Sequence, residues 1–95
     1  MTNTERQELI HRRRRQILVH SVIYYSRGTS IIDDYKFDSW SHQLVQLQTD
    51  HPEDSEAVEY MLEEFRDFTG DTGFHLPLDN VRARGVAKSL LAGWS

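Results

Sequence analysis

The chain has 95 residues, a formal charge of −4 with its histidines neutral, and no cysteine. That length suits one modest domain, and the missing cysteines exclude disulfides, thiolate zinc sites and thiol nucleophiles. No stretch approaches the roughly 20 apolar residues of a membrane span, and the opening MTNTERQELIHRRRR lacks the apolar stretch of a secretion signal, so a cytoplasmic protein is expected.

The first predicted helix runs from about Thr4 to Ser26, with Gly28 placed to end it in a left-handed cap. Its second half, Ile17, Leu18, Val19, Val22, Ile23, Tyr24 and Tyr25, is apolar on nearly every side and requires more than one covering neighbour. A second helix begins near Asp33, where Ser30 and Asp33 offer capping oxygens, and stops before His51-Pro52. Its residues Phe37, Trp40, Leu44 and Leu47 recur at steps of three and four, forming one apolar stripe.

A third helix is expected from about Ser55 to Phe68, with Val58, Met61, Phe65 and Phe68 inward and Glu56, Glu59, Glu63 and Glu64 outward. Gly70 and Gly73 bracket a break, and Thr72 to Pro77 reads as extended or looped, with Phe74 folding back onto the bundle. The last helix, about Asn80 to Trp94, carries Val81, Ala87, Leu90, Leu91 and Trp94. The expected fold is a single all-α domain over residues 1–95: a helical hairpin covered by two further helices.

Most acidic residues lie between Asp50 and Asp79, whereas Arg12, Arg13, Arg14 and Arg15 concentrate positive charge near the start. The molecule as a whole is therefore not a basic nucleic-acid binder, although that end has the residues for phosphate contact. Consecutive helical residues point about 100° apart, so the four arginines ring the helix. Solvation, or pairing with the acidic third helix, is their expected role.

The stretch from Tyr24 to Glu53 carries the chemistry. Two aromatics end the first helix, and Asp34, Phe37 and Asp38 follow near the start of the second. Asp34 and Asp38 stand one turn apart, on a face adjoining the Phe37–Trp40–Leu44 stripe. Aromatic rings stack on a flat cationic heteroaromatic, and carboxylates accept hydrogen bonds from ribose hydroxyls or an amide. A pyridinium ribose, as in NAD⁺, suits both halves. First-turn acids also favour the helix dipole, which accounts for Asp33 and Asp34 better than for Asp38.

Tyr24-Tyr25, Ile32-Asp33-Asp34, Phe37-Asp38 and His51-Pro52-Glu53 occur in the order and spacing that mark the N-terminal Ia module of bacterial NAD⁺-dependent DNA ligases, and His20 falls where that family has His or Asn. The chain resembles that module over approximately residues 10–53. In those ligases the module closes over NAD⁺ and grips its nicotinamide mononucleotide (NMN) half. The resemblance implies a nicotinamide-nucleotide grip by Tyr24, Tyr25, Asp34, Phe37 and Asp38. Phe37 stands where the family has Tyr, so one phenolic hydroxyl is missing. Beyond Glu53 the chain departs from the ligase, and the acidic third helix with the Thr72–Pro77 segment is similar to short stand-alone open reading frames of bacteriophages and prophages.

The lysines are Lys36 and Lys88, and Lys36-Phe37-Asp38-Ser39 lies at a helix start with no sheet to build a nucleotidyltransferase site. His11, His20, His42, His51 and His75 show no metal-ligand spacing. The expectation is thus a non-catalytic protein with no catalytic residue, no metal and no required cofactor, binding NMN, NAD⁺ or a related ribosyl metabolite, encoded by a phage and acting in the cytoplasm of its host. One alternative is a protein-interaction module on the same scaffold, self-associating or docking on a host protein. Another is a nucleic-acid accessory protein using Arg12 to Arg15.

Overall fold

A computed structural model describes residues 1–28, 32–70 and 76–93, excluding the side chains of residues 26, 27 and 93. The helices in it are α1 (Asn3–Arg27), α2 (Asp34–Asp50), α3 (Pro52–Ala57), α4 (Leu62–Phe65) and α5 (Val81–Gly93), with no strand among the described residues. The all-α expectation holds. The expected capping by Ser30, the packing of Phe74 and the placement of Trp94 lie outside the described residues.

Local chemistry sets most helix ends. Thr2 Oγ1 accepts from Glu5 N–H at 3.1 Å while Glu5 Oε1 accepts from Thr2 N–H at 3.1 Å, closing a reciprocal cap on α1. Gly28, at φ 67°, ends that helix by donating its N–H to the Tyr24 carbonyl at 2.9 Å. Asp33 Oδ1 accepts from Lys36 N–H at 2.7 Å to start α2. Asn80 does the same for α5, accepting from Ala83 N–H at 3.0 Å.

Helix α1 is the axis of the molecule and packs on α2, α3 and α5. Its pairing with α2 is antiparallel: Arg13 meets Gln43 and Arg14 meets Gln48, while His20 meets Trp40. Ile10, Ile17, Leu18, Val19, Val22 and Ile23 are buried, together with Leu44, Val58, Phe65, Phe68, Leu76, Ala83 and Ala87. Phe37, Trp40 and Leu47 lie half-buried against them, so the α2 stripe faces the core as its spacing predicts. On α5 the inward residues are Ala83 and Ala87, whereas Val81 is 84% exposed.

The single helix expected over 55–68 is two short ones. Pro52 occupies the first turn of α3, where its missing N–H costs nothing. The chain then leaves helical geometry at Val58 and passes through Met61, a left-handed residue at φ 55°. The break faces a residue of α1. Arg14 is wholly buried and donates to the carbonyls of Ser55 (3.0 Å), Val58 (2.8 Å) and Tyr60 (3.0 Å). These three carbonyls turn toward one guanidinium across the stretch where the helical ladder is interrupted. The inward set nevertheless matches the periodicity: Val58, Phe65 and Phe68 are buried and Met61 is half-buried.

Candidate functional site

Tyr24 and Tyr25 close the last turn of α1, immediately after the buried Val22 and Ile23. Their rings meet edge to face, with centroids 5.0 Å apart at 88°. Tyr24 is 53% exposed and Tyr25 40%, so both rings present aromatic surface outside the core. Asp34 and Asp38 are exposed on the first two turns of α2, and Phe37 between them is half-buried against the core. Tyr35, which the motif reading passed over, is 90% exposed on the same turn. The antiparallel pairing of α1 and α2 brings the end of one helix to the start of the other. Both carboxylates, the tyrosine pair and Tyr35 thus belong to the same end of the hairpin.

Just inside that end is a cluster around Trp40. The Arg13 guanidinium and the Lys36 ammonium stand 5.6 and 5.8 Å from its ring centroid, within cation–π range. The His20 ring lies 5.4 Å from Trp40, with its Nδ1 buried and without a hydrogen-bond partner among the described residues. Burial, helped by the Lys36 charge, holds the His20 imidazole below its ordinary pKa, so it is neutral at pH 7.

The four arginines of 12–15 stand in different surroundings. Arg12 and Arg15 are exposed, and Arg13 donates to Gln43 and Gln16 at 2.7 and 2.6 Å. Arg14 is the exception in the run. Besides the three carbonyls it donates to Ser55 Oγ at 2.9 Å and Gln48 Oε1 at 3.0 Å. Those five acceptors use all five guanidinium N–H groups, leaving none for a nucleic-acid phosphate. Burial lowers the Arg14 pKa to about 10, with Glu56 and Glu64 opposing, so it stays charged at neutral pH. The expected pairing with the acidic segment takes a different form. Arg14 reaches that segment through its backbone, because neutral carbonyls and a serine satisfy a buried guanidinium without burying a second charge.

Sequence reasoning missed this anchor, although a signal existed. Arg14 stands four residues after Ile10 and four before Leu18, in register with the buried stripe of α1. A cation there must either leave the core or bind acceptors within it.

No group of three or more His, Asp or Glu side chains among the described residues is placed to hold a metal ion. No helix among them is long and apolar enough to cross a membrane. Compared with family models, curated proteins and solved structures, the chain matches none.

Proposed function

We propose that this is a non-catalytic binding protein of the ligase Ia kind, holding a nicotinamide-type nucleotide at the hairpin end formed by Tyr24, Tyr25, Asp34, Phe37 and Asp38. The observation that carries the reading is the exposure of the tyrosine pair, 53% and 40%, at the same end as two exposed carboxylates. Core tyrosines would have been packed away. In the proposed complex the pyridinium ring lies against a tyrosine face and Asp34 or Asp38 accepts from the ribose hydroxyls. Phe37 supplies an apolar wall and no hydroxyl.

Calorimetric titration with NMN and with NAD⁺ tests this. Heat of binding is expected with at least one of them, and its loss in Tyr24→Ala and Asp38→Ala. Both positions are exposed, so each substitution is expected to change stability by only about 0.5 kcal/mol. Absence of heat with both ligands, or heat that survives both substitutions, overturns the reading.

Tyr35 favours a second reading, in which this end docks on a protein. At 90% exposure, at the same end of the hairpin as the tyrosine pair, it gives the surface an aromatic composition typical of interface anchors. Light scattering that finds a dimer at micromolar concentration, abolished by Tyr35→Ser with NMN binding absent, would support that role over the nucleotide one.

A further inference from the structure

Along the opposite side of α1, away from the α2 pairing, a groove runs between α1 and α5. It has two continuous parts, of about 600 and 380 Å³, which share His11, Arg15, Val19 and Val86. The larger part lies within the size range of small-molecule sites. On α1, His11, Arg15 and Val19 follow one another at steps of four, so they form one wall. Arg82 and Ser89 stand on the α5 side, with Ala83 and Val86 as apolar lining.

Three observations give the groove a chemical preference. First, Arg15 and Arg82 both line the larger part and make no hydrogen bond or ion pair with another described residue. In a chain of net charge −4, two uncommitted guanidiniums face a space with no carboxylate among its described lining residues. Glu8 lines the smaller part, together with Arg12. Second, the two arginines share a neighbour, Tyr60, which lines the same part of the groove. Both lie near enough to Tyr60 for their charges to oppose the upward push of burial on its phenol. Third, the groove has an aromatic platform. His11 stacks on Tyr60 with centroids 4.6 Å apart and planes 8° from parallel. Tyr60 covers one face of the imidazole, and His11 remains exposed in that stack.

We propose that the α1–α5 groove is a binding site for a small anion bearing a planar ring, of the nucleoside 5′-monophosphate class. Arg15 and Arg82 take the phosphate, His11 carries the ring as the next layer of the His11–Tyr60 stack, and Val19, Ala83 and Val86 line the apolar side. Guanidinium pairs suit phosphate because their fork of N–H donors matches its oxygens, and stacking on an aromatic tolerates any base. The smaller part adds a third guanidinium, Arg12, and one carboxylate, Glu8, so the larger part is the one whose described lining holds only positive charge. This site does not depend on the tyrosine end of the hairpin.

The test is titration of the whole chain, followed by amide chemical shifts, with AMP, GMP, CMP and UMP. Adenosine serves as the phosphate-free probe and inorganic phosphate as the ring-free one. At least one monophosphate is expected to bind in the millimolar range or better, with shifts on α1 and α5 around Arg15 and Val86. Arg15→Gln and Arg82→Gln should each weaken it roughly tenfold, the loss of one charge-assisted contact. Tyr24→Ala should leave it unchanged, and added salt should weaken it. Both arginines are exposed, and retained circular dichroism establishes that the variants fold. The proposal is overturned if no monophosphate binds, if adenosine binds as well as AMP, or if both arginine variants bind like the unsubstituted chain. Loss in Tyr24→Ala alone would move the nucleotide to the tyrosine pair and equally overturn the groove.

Discussion

The Arg14 guanidinium donates to the Val58 carbonyl at 2.8 Å, joining the middle of the longest helix to the point where the acidic segment leaves helical geometry. Arg14 is wholly buried, and its charge is met by three carbonyls, a serine hydroxyl and a glutamine amide oxygen. Gln48 extends the link by donating Nε2–H to the Phe65 carbonyl at 3.0 Å. One cation therefore ties α1, α2 and the 55–65 segment together.

Replacing Arg14 by Met fills similar space but leaves these acceptors without donors. Each buried acceptor so stranded costs about 1–3 kcal/mol, less where water can enter. The expected loss in urea unfolding is about 3 kcal/mol or more, with Arg14→Lys intermediate because an ammonium has three donors where five are used. A loss below about 1 kcal/mol in Arg14→Met would show that the anchor contributes little.

Gly70 is required by its backbone and by its neighbour. It sits at φ 88°, and a Cβ there would stand 3.3 Å from Val45 Cγ2 on α2. Gly70→Ala combines an unfavourable conformation with this close approach, for an expected cost of about 1–3 kcal/mol. Thermal unfolding unchanged from the parent would contradict that.

Asp54 is nearly buried and accepts from Arg6 Nε at 2.6 Å and Gln7 Nε2 at 3.0 Å. Arg6 first, then Gln7, holds its carboxyl below the ordinary range, against the opposing effect of burial. A depressed carboxylate pKa contributes stability that is complete above the unfolded value, about 4, and lost as pH falls through the folded one. The stability gap between the parent and Asp54→Asn should thus be widest near pH 6 and close toward pH 3. A gap constant over that range would rule out the linkage.

His20 works in the other direction. Its folded pKa lies below the ordinary value of about 6.5, so the folded state takes up its proton less readily than the unfolded one. Its contribution is complete above pH 6.5 and falls as the solution is acidified through that value. Proton NMR should give His20 a midpoint below 6.5, and His20→Gln should flatten stability between pH 7 and 5. A midpoint at or above 6.5 would contradict a half-buried imidazole held neutral by desolvation.

What the sequence determined by itself was whatever is encoded at short range. Gly28 as a left-handed cap, Asp33 as an N-cap and the Phe37–Trp40–Leu44–Leu47 stripe all reappear, because caps and helical periodicity are set by residues within a turn or two. The tyrosine pair, Asp34 and Asp38 are exposed, in agreement with the place at the edge of the core that their spacing predicts. Tertiary structure decided the rest. The break between α3 and α4 coincides with carbonyls that accept from Arg14, a residue over 40 positions away in the chain. The Arg15–Arg82 groove exists only because α5 packs along α1, bringing together two cations separated by most of the molecule. Spacing along a helix reveals which face a residue occupies. Which partner meets that face depends on how the helices cross, and here that separated one buried arginine from its three neighbours in the run.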